Sequence, residues 1–197
     1  MTARLLPAGG HKVTPWKNGL GVTAEVAAFP PGADFEAFDW RVSMAQVDAG
    51  GPFSRFPGVD RVLAVLEGRL ALRVQGRPSL ELSRRSAPAA FPGDVDTDAA
   101  LIRGPVRDLN IMTRRGRWTA ELERLAPEAP TTLAVGAPTA LLLCQAAEAS
   151  LGLDGRAWRL APDDALLIEH RPDAVLAVEP HGAATLYLAR LFPTAPG

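Results

Sequence analysis

The chain has 197 residues, of which 47% are hydrophobic and 22% charged, with a formal net charge of −1. That balance is the profile of a globular protein long enough to bury a real core, and it carries no basic nucleic-acid footprint. Gly and Pro number 18 each, which predicts many turns yet stays below the low-complexity range.

In chain order, Met1 to Pro7 offers one basic residue but no apolar core of signal-peptide length. Short segments with period-2 alternation or β-branched runs then follow: 22–27, 40–46, 61–66, 69–74, 79–82, 99–102 and 107–112 in the first half. The second half continues with 132–135, 140–144, 156–160, 165–168, 175–178 and 184–191. Turn material separates them, including Pro30-Pro31-Gly32, Gly50-Gly51-Pro52, Phe56-Pro57-Gly58, Glu67-Gly68 and Phe91-Pro92-Gly93-Asp94. The stretch 118–125 reads as the one helix, ended by Pro127. The longest apolar run, Ala140 to Cys144, is far short of the roughly 20 residues that span a bilayer. With Cys144 as its single cysteine the chain is expected in a reducing compartment, the cytoplasm.

Many short strands at even spacing predict an all-β sandwich or barrel. A weak repeat refines this. Val65 to Leu72 reads as a hairpin turning at Gly68, followed by Phe91-Pro92-Gly93-Asp94; Ser150 to Leu160 reads as a second hairpin, followed by Ala161-Pro162-Asp163-Asp164. That rhythm is cupin-like, so the expected fold is a bicupin: jelly-roll modules at 1–117 and 118–197, packed as one unit.

The first half also sets polar side chains into apolar, strand-like sequence. Its motifs are Trp16-Lys17-Asn18-Gly19-x-Gly21-x-Thr23-x-Glu25, Phe38-Asp39-Trp40-Arg41-Val42-Ser43-x-Ala45, Gly51-Pro52-Phe53-Ser54-x-Phe56-Pro57-Gly58-x-Asp60-Arg61 and Asp108-Leu109-Asn110-Ile111-Met112-Thr113-Arg114. Together, in this order, they resemble the HutD/Ves family, small bacterial two-cupin proteins associated with histidine-utilisation genes. Leu20 departs from the pattern, standing where the family is expected to carry a third glycine. The resemblance implies a sensor or modulator of histidine breakdown, with formylated or imino-glutamate-type intermediates as ligands.

The residues themselves argue against several chemistries. A cupin metal centre needs two or three converging histidines with a carboxylate, but His11, His170 and His181 are widely separated, and Asp60-Arg61-Val62-Leu63 occupies the expected ligand strand. No metal and no cofactor is expected. No Gly-x-Ser-x-Gly elbow occurs, and Cys144 after Leu141-Leu142-Leu143 reads as a buried, inert thiol.

What remains is a polar lining. Thr23 with Glu25, Arg41 with Ser43, and Asp108 with Asn110 are spaced i, i+2, each pair on one strand face. Pointing inward, they would bind a small acidic metabolite: Lys17, Arg41 and Arg61 gripping a carboxylate, and Asn18, Ser43 and Asn110 reading an amide or formyl group. Glu25 and Asp108 complete the charge, and Trp40 and Phe53, with Trp16 and Phe56, supply apolar walls. Two other readings stay open. Arg41 with Glu25 and Arg61 with Asp60 or Asp108 are also what purely structural ion pairs would look like. Glu25 or Asp108 would equally serve as the base of a metal-free isomerase or hydrolase. On fold analogy, two copies are expected to pair through edge strands.

Overall fold

Period-2 sequence becomes strand almost throughout the computed structural model, which describes residues 3–194. In chain order the strands are β1 (Ala3–Leu6), β2 (Lys12–Pro15), β3 (Gly21–Phe29), β4 (Trp40–Val47), β5 (Gly51–Pro52), β6 (Val59–Val74), β7 (Leu80–Ser83), β8 (Ala89–Pro92) and β9 (Thr97–Arg114). They continue as β10 (Trp118–Leu125), β11 (Thr131–Ala134), β12 (Thr139–Leu153), β13 (Arg156–Leu160), β14 (Ala165–Glu169) and β15 (Val175–Pro193). The one helical element among the described residues is a single 3-10 turn at Ala8–Gly10, too short to cross a membrane.

The expected helix at Trp118–Leu125 is therefore a strand, β10, at the edge of its sheet beside β15. Thr119, Glu121 and Glu123 are exposed while Trp118, Ala120 and Leu122 are half-buried, a period of two.

The chain divides into two compact units near Thr119 and Ala120. The N-terminal strand departs from the expected module boundaries. β1 runs antiparallel to β14, with Ala3 opposite Ile168 and Leu6 opposite Ala165, so the residues up to His11 belong with the C-terminal unit. Ala3 joins that unit's apolar cluster, which explains the placement.

In the unit formed by Lys12–Thr119, the sheet order is β2-β3-β4-β9-β6-β7, with β5 added on β9 and β8 on β6. The long strands β6 and β9 each serve two stretches of the sheet. The expected hairpin at Gly68 is in fact an irregularity inside β6, where the register against β9 shifts between Val65 and Leu70. Its effect is a change of parity. Leu63 and Val65 enter the apolar core before the shift, Leu70, Leu72 and Val74 after it. A one-residue slip turns a strand's faces over, so β6 keeps its apolar side inward while changing direction.

The C-terminal unit, taken by itself, has the order β1-β14-β12-β15-β10, with β11 on β15 and β13 on β12. β12 makes the same exchange: Ala140, Leu142 and Cys144 point into the core, then Ala149, Leu151 and Leu153, with Ala147 at φ 56° between them. The hairpin expected over 150–160 forms as β12 and β13 around Asp154-Gly155, both at positive φ, the backbone of a tight two-residue β-hairpin turn. Its core is aliphatic, built from Leu142, Leu151, Leu166, Ile168, Leu186 and Leu188 among others.

Candidate functional site

The site is built from the three central strands of the Lys12–Thr119 unit, where β9 lies between β4 and β6. Register sets Arg41 and Arg61 each opposite Met112, Ser43 and Leu63 opposite Asn110, and Ala45 and Val65 opposite Asp108. Glu25 on β3 lies opposite Ser43. Residues directly opposite share a face, and Leu63 and Val65 belong to the core, so the face is the inner one. Arg41 is 7% exposed, Ser43 2%, Arg61 5%, Asp108 2% and Asn110 8%. Among the described buried polar residues, Thr139 alone lies in the other unit.

These groups are held by one another. Arg41 donates through Nε to Glu25 Oε2 at 2.6 Å and through Nη1 to Ser43 Oγ at 3.0 Å. Arg61 donates through Nε to Asn110 Oδ1 at 3.3 Å. Rings cover the guanidinium faces: Phe35 lies 4.9 Å from that of Arg41, and Phe53 and Phe91 lie 4.6 and 5.3 Å from that of Arg61. Such stacking favours a desolvated cation.

Burial dominates the electrostatics. It pushes the Asp108 carboxyl up to about 7, against the pull of Arg61. Burial likewise pushes Arg61 down to about 10, against Asp108, and nearby Arg41 adds to the fall. The attraction between the two ions is thus smaller than the penalty of burying them. Asp108 accepts no hydrogen bond among the described residues, and Arg61 spends only its Nε.

The rim is tied down by the end of β9. Arg114 donates to the Glu36 carbonyl at 2.8 Å and the Pro57 carbonyl at 3.3 Å, and its backbone amide donates to Asp39. The Arg115 amide donates to the Gly58 carbonyl, while its side chain bridges Asp60 and Asp94. These contacts fix the segments bearing Phe35 and Phe56, whose rings lie 5.5 Å apart.

Of the residues expected to line the site, Glu25, Arg41, Ser43, Phe53, Arg61, Asp108 and Asn110 come together. Three do not. Lys17 and Asn18 are exposed in the turn between β2 and β3, where Asn18 Oδ1 accepts from the Leu20 amide at 3.0 Å. Leu20 is 40% exposed and Gly19 takes the positive φ, 71°, so the turn closes without a third glycine. Trp40 alternates with Arg41 and so faces away from it, stacked on Phe29 at 6.1 Å and against Trp118 at 6.5 Å. Phe35, Phe91 and Met112 were not foreseen. Phe91 read as turn material, yet it lies in β8 directly opposite Arg61, a pairing that no local pattern announces.

The other candidate groups lie in the C-terminal unit. His11, His170 and His181 belong there, and among the described residues no three His, Cys, Asp or Glu side chains converge as metal ligands would. Cys144 is buried, and burial, helped by Asp164, Asp163 and Glu148, pushes its thiol up to about 11, which disfavours the reactive thiolate.

Two β units built alike, one filled with aliphatic side chains and one holding charge, define a bicupin-type protein. A solved cupin from Leptotrichia buccalis shares the fold, with a TM-score of 0.57 at 12% identity over 88% of this chain and 89% of that one. The HutD family model matches residues 9–186, and the chain belongs to that family. It is 33% identical over 181 residues to an uncharacterised 21.2 kDa protein from the hutC 3′ region of Pseudomonas putida, covering 91% of this chain and 93% of that one. It is 41% identical to protein Ves of Citrobacter koseri over 118 residues, 59% of this chain and about 60% of Ves. Among solved structures, a conserved protein of unknown function from Pseudomonas aeruginosa PAO1 superposes with a TM-score of 0.88 at 33% identity, covering 96% and 98% of the two chains. HutD from Pseudomonas fluorescens SBW25, in a formate condition, gives 0.81 at 29% identity, covering 98% and 100%. The family is linked to the histidine-utilisation locus.

Proposed function

We propose that the Lys12–Thr119 unit binds a small acidic metabolite of the formyl- or imino-glutamate type without a metal, and that the protein acts in the cytoplasm as a sensor or modulator of histidine or amino-acid catabolism. One observation carries this reading. The two units share a strand plan, and the C-terminal one fills its interior with aliphatic side chains, so the fold does not require buried charge. Buried ions are weak sources of stability. Their confinement to one interior, with arginine suited to carboxylates and Asn110 and Ser43 to an amide or formyl group, is what a binding site needs.

The formate condition of the Pseudomonas fluorescens relative makes formate the first probe. Titration calorimetry with formate, N-formylglutamate and glutarate should show binding that weakens at least tenfold in Arg61→Ala and also in Arg41→Ala, both folded. No binding by any of these acids, or unchanged binding in both variants, would remove the reading.

Asp108 favours a second reading, a metal-free hydrolase or isomerase. A carboxyl near neutrality suits a general base, whereas Glu25 is committed to Arg41. Turnover of formylglutamate, formiminoglutamate or urocanate that disappears in Asp108→Asn would carry it over the sensor.

A further inference from the structure

Arg41 and Arg61 flank Met112 in the same row, yet they are not equivalent. Arg41 faces Glu25 at 2.6 Å, so its charge is already balanced. Arg61 donates only to the neutral Asn110, and its remaining N–H groups meet no acceptor among the described residues. The carboxylate that answers it electrostatically is Asp108, the next inner-facing residue of β9 after Asn110, set between Ala45 and Val65.

Resting on the carboxylate-binding reading above, the geometry points to Arg61 as the anion receptor and Asp108 as a proton receptor, so that the interior takes up one carboxylate and one proton together. The charge count gives the reason. On this inner face the ions are Glu25 from β3, Arg41 from β4, Arg61 from β6 and Asp108 from β9; β8 and the segment after β5 present only Phe91 and Phe53 to Arg61. Glu25 cancels Arg41, and Asp108 cancels Arg61. A ligand carboxylate on Arg61 leaves Asp108 facing a neutralised guanidinium and a second anion, with no hydrogen bond to hold its charge. A buried carboxylate in that position binds a proton. The proton comes from solvent to an Asp108 oxygen; no other bond is made or broken, and the net charge of the protein is unchanged by binding a monoanion. Burial already places Asp108 where both forms are accessible near neutrality.

The consequence is a pH-dependent affinity. Carboxylate binding is tightest where Asp108 is protonated and weakens up to tenfold per pH unit above neutrality, the slope of one linked proton. Calorimetry with formate and with N-formylglutamate at pH 7.5, where a carboxyl of about 7 is already roughly one quarter protonated, should, in two buffers of different ionisation enthalpy, read uptake of roughly half to three-quarters of a proton per ligand. Asp108→Asn should show no uptake, a flat pH profile, and binding at pH 8.5 at least tenfold tighter than wild type. Because that variant alters a buried site, the carboxyl carbon shift of Asp108 in the wild-type protein gives a second readout: ligand should raise its titration midpoint by more than one pH unit. Binding without proton uptake, or an unmoved midpoint, would overturn the coupling and leave the carboxylate site standing. No binding of either acid at any pH would overturn both.

Discussion

Gly68 and Pro105 meet where the two longest strands of the Lys12–Thr119 unit change direction: a Cβ on Gly68 would lie 2.5 Å from the Pro105 carbonyl oxygen. Gly68 also has φ 78°, so both backbone conformation and space demand glycine. The same irregularity sets the parity that keeps Val65 and Leu70 in one core. Gly68→Ala should therefore destabilise by roughly 3 kcal/mol or more, from strain and displacement combined. Gly104, at φ 75° with open space around its Cβ position, is the control. Gly104→Ala should lose only about 1 kcal/mol. Urea denaturation of the two variants measures the difference, and equal losses would show that the close approach contributes nothing.

Asp108 should make stability fall as pH rises. Its folded-state value, about 7, lies above the ordinary 3.8, so between these values the folded chain holds a proton that the unfolded chain has released. Stability is greatest below the lower value, declines through the window and is level above it. The full loss is of order 4 kcal/mol. Asp108→Asn removes it: the variant should melt higher than wild type at pH 8, with the gap closing by pH 4. A gap that grows toward acid would reverse the sign and refute the placement of Asp108.

Asp94 should act in the opposite direction. Hydrogen bonds from Arg115, chiefly, hold its carboxyl down to about 2 against a small burial effect, with the Gly58 amide assisting. Its contribution to stability is complete above the ordinary value and is lost as pH falls toward 2. Arg115→Gln should lower the melting temperature at pH 5 and lose that deficit by pH 2. Because the Arg115 amide also donates to the Gly58 carbonyl, the backbone tie to the loop survives in this variant, which isolates the side chain.

How much of this was readable beforehand depends on distance along the chain. The i, i+2 spacing of Arg41 with Ser43 and of Asp108 with Asn110 is local, and alternation alone places each pair on one face. The contact between Arg61 and Asn110 spans 49 positions and exists only through the register of β6 on β9. The aromatic character of Trp40 suggests a wall of the site, whereas its alternation with Arg41 turns it the other way, and parity decides. Gly68 carries the chemistry of a turn, and only its long-range partner makes it a bulge. In 118–125 the helix-favouring Glu, Leu and Arg side chains masked a two-residue period that β15 then selects.

The turn at Lys17 and Asn18 offers a clean division between family pattern and site. Lys17 is exposed, and Asn18 folds its side chain back on the Leu20 amide at 3.0 Å, which occupies the oxygen that would otherwise meet a ligand. Lys17→Ala should leave stability and carboxylate affinity within error of wild type. Asn18→Ala should lose about 0.5–1 kcal/mol of stability from the missing turn hydrogen bond, with affinity unchanged. Phe53→Leu, unlike either, should weaken binding. The ring 4.6 Å from the Arg61 guanidinium shields it from water, and an aliphatic replacement keeps the packing while losing roughly 1 kcal/mol of cation–π attraction. Carboxylate affinity in that variant should fall a few-fold, and the lost attraction should lower the melting temperature by roughly 2–4 °C. Calorimetry and thermal melts on the three proteins separate the cases, and weakened binding in Lys17→Ala would return the turn to the site.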